Sequence, residues 1–289
     1  MNMLSQDFLV RLRKLRISAT SKRRGQHKGM RRSHKFGSSL EFSDFREYQP
    51  GDDVRQIDWN VYGRTQKHYI KRYLDEQEIK VALYLDCTSS MRAVPEKWER
   101  AKQLSAAFAY MTLSSEDRLA FVPVSAQESR PLTRKGAVYA KPLLFEILKL
   151  EASGITSSFS KGAISQPVKG AAVHIIISDG LEPISSFETM LRRLAQTKGQ
   201  VYMIQLLSQE EADPDYEGDI KLLDSESRSE VNVSMRAQLI MDYKKKLKLH
   251  NRQLEQACKR LGMGYLQTSS ALTADEILLR ECYSRGWVY

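Results

Sequence analysis

The chain has 289 residues, 42% hydrophobic and 28% charged, enough to bury a sizeable core and too apolar for wholesale disorder. Apolar runs such as residues 171–177 fall well short of the roughly 18 residues of a membrane span, and Arg11, Arg13, Lys14 and Arg16 interrupt any secretory leader. Cys87, Cys258 and Cys282, odd in number and without CxxC spacing, speak against a disulfide framework or zinc site and for a reducing cytoplasm.

The net charge of +10 is unevenly placed. Residues 1–40 hold eleven Lys and Arg against Asp7 alone, and residues 41–289 are balanced. Lys22-Arg23-Arg24, Lys28, Arg31-Arg32 and Lys35, spaced by Gly25, Gly29 and Gly37, read as a basic N-terminal arm over 1–40. Such an arm either stays solvated or meets an acidic partner, nucleic acid or an anionic membrane surface, the last giving a peripheral place at the inner membrane face. Phe36 is the only ring among these cations, so base stacking is not indicated.

A polar, turn-rich block follows over 41–78, centred on Pro50-Gly51 and expected to pack on the core. Residues 69–73 read as a strand. From Ile79 buried strands alternate with helices. The strands fall at 79–85, 119–124, 173–177 and 201–207, with a last one beginning at Tyr265. A helix opens at Pro95 with Trp98, Ala101, Leu104, Phe108 and Met111 on one face, and further helices fall at 141–150, 187–194 and 274–283. A hairpin over 219–233 leads into a long helix over 235–261. Its stripe is Leu239, Tyr243, Leu247, Leu254, Cys258 and Leu261, with Lys244-Lys245-Lys246 and Lys248 on a solvated face. The pattern predicts an α/β fold with a doubly wound, mostly parallel sheet in a domain over 79–289, carrying the hairpin and long helix as an insertion at about 208–261.

Ligands of such sheets bind at the carboxyl ends of strands, and two aspartates fall there, Asp86 and Asp179. Asp86 is followed by the hydroxyls of Thr88 and Ser90, oxygen donors suited to a hard cation such as Mg²⁺. The bland alternative is that both aspartates cap helices while the hydroxyls satisfy loop amides. Catalysis has little support: GxSxG, GxxxxGK[ST] and HExxH are missing, and His27, His34, His68, His174 and His250 lack ligand spacing.

Asp86-Cys87-Thr88-Ser89-Ser90 resembles the Asp-x-Ser-x-Ser loop of von Willebrand factor A domains, with threonine in the middle place. Gly154-Ile155-Thr156 and Ser178-Asp179-Gly180 resemble that family's second and third loops. The resemblance implies a von Willebrand factor A-like (Rossmann-like) fold. It also implies a metal-ion-dependent adhesion site made by Asp86, Thr88, Ser90, Thr156 and Asp179, with a partner's acidic residue as the last ligand. Upstream, Glu41-Phe42, Arg46-Glu47-Tyr48, Pro50-Gly51-Asp52-Asp53, Arg55, Ile57-Asp58-Trp59 and Arg64 resemble the signature of the domain-of-unknown-function 58 family. That likeness implies a non-enzymatic, chaperone-like adaptor working with a MoxR-type AAA+ ATPase. For the signature itself, an ion-pair network of Arg46, Asp53, Arg55 and Asp58 over a packed Trp59 is the expected structural role.

Overall fold

The computed structural model describes residues 4–19, 42–73, 78–125, 131–151, 158–165, 168–215, 218–223, 230–235 and 237–289. The chain divides into two compact units, one of residues 24–78 and one joining residues 1–23 to 79–289. Of the expected arm over 1–40, the described residues 4–19 belong to the larger unit. Helix α1 (Gln6–Leu12), capped by the Ser5 hydroxyl, buries Phe8 and Leu12 in the core of the larger unit. Further on, Ile17 bridges Val288, with backbone bonds from Arg16 to Tyr289 and from Ser18 to Trp287. Apolar residues inside the charge run therefore decide the fate of its first half.

In the smaller unit β1 (Phe42–Glu47) pairs antiparallel with β2 (Tyr69–Tyr73), and α2 (Trp59–Thr65) lies between them in sequence. Asp58 caps α2, accepting from the amides of Asn60 and Val61. Of the expected network the described residues show two local ion pairs, Arg46 with Asp52 at 2.7 Å and Arg55 with Asp53 at 3.0 Å. Trp59 is not packed away: it is 61% exposed and meets the rings of Tyr62 and His68 edge-on.

The larger unit continues with β3 (Lys80–Asp86), α3 (Ser89–Ala93), α4 (Pro95–Ser114), β4 (Arg118–Val124), β5 (Leu132–Lys135) and α5 (Ala140–Leu148). Next come α6 (Phe159–Ser165), β6 (Val173–Ser178), α7 (Ile184–Ala195), β7 (Gln200–Leu207) and α8 (Gln209–Ala212). A hairpin of β8 (Gly218–Leu223) and β9 (Glu230–Met235) precedes α9 (Ala237–Arg260), β10 (Gly264–Ser269) and α10 (Ala274–Glu276), which runs on as a π-helical turn to Cys282. Six strands form one sheet in the order β10-β7-β6-β3-β4-β5, parallel throughout except for β5. The doubly wound α/β expectation holds.

Helices cover both faces, which is why β3 reads as an unbroken apolar run. Val81, Leu83 and Leu85 join Leu104 and Phe108 of α4 in one core, while Ala82 and Tyr84 join Phe187 of α7 and Leu254 of α9 in the other. The long helix departs from its predicted stripe. Leu254 and Cys258 are buried, but Leu239 and Tyr243 are exposed, so only the C-terminal half of α9 is held by the sheet. Among the described residues no helix is long and apolar enough to cross a membrane.

If residues 4–19 belong to the core, Leu12→Ala should cost about 2–5 kcal/mol of stability in a urea titration, as buried leucines do. An unchanged midpoint would return the segment to a loose arm.

Candidate functional site

From β3 the chain crosses to β4 on one side, whereas from β6 it crosses to β7 on the other. Strands β3 and β6 are neighbours, so their carboxyl ends flank the point where the winding reverses and a crevice opens. Asp86 is the last residue of β3 and Asp179 the first after β6, only 2% and 3% exposed.

Asp86 is held from three directions. Its Oδ1 accepts from the Thr88 amide at 3.0 Å and the Thr88 hydroxyl at 2.6 Å, and its Oδ2 accepts from the Ser178 hydroxyl at 2.6 Å. The Ser178 bond ties the ends of β3 and β6 together. Ser90 Oγ lies 3.1 Å from Thr88 Oγ1. Burial, and after it the charge of Asp179, push the Asp86 carboxyl up to about 7, against the pull of the Ser178 and Thr88 hydrogen bonds.

Of the bland alternative, one part is present, the Ser178 hydroxyl accepting from the loop amide of Gly180 at 3.1 Å, whereas neither aspartate stands at a helix N-cap. Thr88 stands at the N-cap of α3 yet makes no side-chain cap bond, its hydroxyl being given to Asp86. Asp179 accepts from the amide of Leu181 at 3.3 Å, and the N-cap of α7 is Pro183. The Ser89 hydroxyl oxygen is buried without a partner in the same loop.

The loop after β6 is fixed by elements further along the chain. Gln205 of β7 donates to the Asp179 carbonyl at 2.8 Å and to Asn251 of α9, and Tyr265 of β10 donates to Gln205. His250 lies 2.7 Å from the Gly180 carbonyl. Gly180 has φ +67°, a left-handed conformation that favours glycine, and a Cβ there would press on the Leu254 side chain at 2.9 Å. Glu182 accepts from Ser158 at 2.9 Å and from Ser160 at 2.5 Å, anchoring the start of α6. Thr156 lies outside the described residues. Cys87 is buried with its thiol pushed up by burial and then by Asp86, which disfavours the thiolate form.

Two charged residues at the site escaped sequence reasoning. Lys97 of α4, fully buried, places its ammonium 3.1 Å from Asp179 Oδ2 and 2.5 Å from Glu211 Oε1. Burial works against that charge, but the two carboxylates outweigh it and its pKa rises. Glu211 is fixed in turn by a capping box with Ser208 at the end of β7. A signal existed: Lys97 stands four residues before Ala101 and seven before Leu104, in register with the apolar stripe of its helix.

The residues present fit a hard cation. The fit is one of donor type: a carboxylate and two hydroxyls are hard oxygen donors, here hydrogen-bonded to one another at 2.6 Å and 3.1 Å. Among the described residues no group of three or more His, Cys, Asp or Glu side chains is placed to hold a metal ion.

The fold and site define a doubly wound α/β protein with a carboxylate–hydroxyl constellation at its switch point. Residues 44–253 match the family described as protein of unknown function DUF58, and the chain belongs to that family. Uncharacterized proteins of Mycobacterium bovis and Mycobacterium tuberculosis are 28% identical over 199 residues, which span 66% of this chain and 62% of each relative. Among solved structures, a conserved hypothetical protein BatB from Bacteroides thetaiotaomicron is similar at 14% identity and a TM-score of 0.43, over 72% of this chain and 98% of that one. An aerotolerance-related membrane protein from Bacteroides fragilis is similar at 13% identity and a TM-score of 0.38, over 71% of this chain and 99% of that one. Neither likeness bears on the fold assignment, which rests on the strand order.

The raised Asp86 pKa has a stability consequence. Between the unfolded value of 3.8 and about 7 the folded protein keeps a proton the unfolded chain has lost, so stability falls as pH rises through that window. Asp86→Asn removes this titration. Between about pH 5 and pH 8 the metal-free variant should lose less stability than wild type in urea titrations. Parallel pH profiles would contradict the assignment.

Proposed function

We propose that this chain is a non-enzymatic docking protein that holds a divalent cation, Mg²⁺ foremost, at Asp86, Thr88, Ser90 and Asp179, with Thr156 as the fifth ligand implied by the resemblance. The observation that carries the reading is the meeting of Asp86, Thr88 and Ser90 oxygens at the switch point beside Asp179. Bound there, the ion would supply an open position for a carboxylate from a partner protein. The chain's own residues do the positioning. Ser178 and Thr88 orient Asp86, Gln205 fixes the Asp179 loop, and neutral hydroxyls leave the ion's charge only partly answered.

The partner class follows from that chemistry, an acidic side chain on a protein surface. The family resemblance adds a MoxR-type AAA+ ATPase as the machine with which such docking is coupled, in the assembly or maturation of other proteins. Nucleic-acid or anionic-membrane binding by the basic arm is the second reading; residues 4–19 pack on the core, and the cations from Lys22 to Lys35 lie outside the described residues.

Titration calorimetry with Mg²⁺ should give a binding isotherm for wild type and none for Asp86→Ala. Equal heats from the two proteins would remove the metal site. Affinity capture from native lysate should recover an ATPase in Mg²⁺ and lose it in chelator; recovery in neither condition would count against the partnership.

A further inference from the structure

We propose that Lys97 is the resident counter-cation of this site, and that its ammonium and a divalent ion compete for the Asp179 carboxylate, so that Lys97 sets how tightly the metal is held. The inference rests on the docking reading above and deepens it.

Lys97 has no exposed surface, and its Nζ reaches two carboxylates, Asp179 just after β6 and Glu211 in α8. Both oxygens of Asp179 are engaged, Oδ2 by this ammonium and Oδ1 by the Leu181 amide. Asp86 is treated differently. Its described partners are hydroxyls and an amide, all neutral. One carboxylate of the pair is thus neutralised from within the protein while the other is only hydrogen-bonded.

The asymmetry has a physical reason. Buried carboxylates without a counter-charge are strongly unfavourable, and an ammonium between Asp179 and Glu211 lets the loops keep their geometry when no metal is present. The same ammonium works against a divalent ion. A cation that takes a share of Asp179 repels the Lys97 charge across a few ångströms of protein and leaves it with Glu211 as its remaining carboxylate. Glu211 is suited to that part because its other oxygen is fixed by the Ser208 amide. Lys97 therefore keeps the site intact when empty and weakens its hold on the ion.

The test is Mg²⁺ calorimetry on wild type, Lys97→Met, the double variant Lys97→Met/Glu211→Gln, and Arg100→Met as a control. The double variant carries the same net charge as wild type, and glutamine can still complete the capping box. Arg100 is a cation one turn along α4 that bonds to Ser270 and Gln103, not to Asp179. Competition predicts that Lys97→Met and the double variant each bind Mg²⁺ at least about tenfold more tightly than wild type, while Arg100→Met is unchanged. The double variant keeps the proposal testable if Lys97→Met fails to fold. A double variant that binds as wild type does would reduce the effect to net charge and overturn the competition. Binding by wild type with no gain in any variant would overturn it too, leaving the metal reading intact. No uptake by any of the four proteins would defeat the metal reading and this inference together.

Discussion

Where β3, β6 and β7 end, Asp86, Asp179 and Glu211 are brought to one edge of a sheet buried on both faces, and the Lys97 ammonium answers two of them. Several described segments at this edge engage those charges. Ser178 and Thr88 are aimed at Asp86, the start of α4 delivers Lys97, and the short helix α8 is capped by the same Glu211 that holds it. A buried ion pair of this kind contributes little net stability, since desolvation offsets much of the attraction. What it provides is a fixed arrangement at the crevice, and that is the setting for a site.

The sheet was legible in the sequence for a simple reason. Strands buried on both faces must be continuously apolar, and β3 and β6 are so over nearly their whole length. The helices behind them show the matching 3.6-residue stripe. Where a segment meets only one neighbour the signal fades. Strand β5 is a four-residue edge strand, Leu-Thr-Arg-Lys, with too little apolar alternation to be read. In α1 the apolar residues are diluted by the arginines around them, so net charge suggested an arm where packing makes a helix. The stripe of α9 was real, but its first half extends past the sheet that would bury it.

The candidate site was legible to the extent that it is local. Asp86, Thr88 and Ser90 lie within five residues, and their hydroxyl–carboxylate contacts follow from that spacing. Asp179 was found because strand ends in a doubly wound sheet converge. Lys97 and Glu211 were not found, because their meeting spans 114 residues and joins two helix starts that sequence alone does not bring together. Trp59 shows the opposite error. A tryptophan amid arginines and aspartates suggested a packed ring, whereas Arg46 and Arg55 pair with Asp52 and Asp53 close in sequence and the ring stays at the surface.

The central claim is that a hard cation sits in the crevice between the ends of β3 and β6. Anomalous diffraction from crystals grown with Mn²⁺, a transition metal that suits the same oxygen ligands, addresses it most directly. The account predicts one strong peak within bonding distance of the Thr88 and Ser90 hydroxyls, beside the Asp86 carboxylate. A map with no peak there, and Lys97 still bridging Asp179 and Glu211, would contradict it.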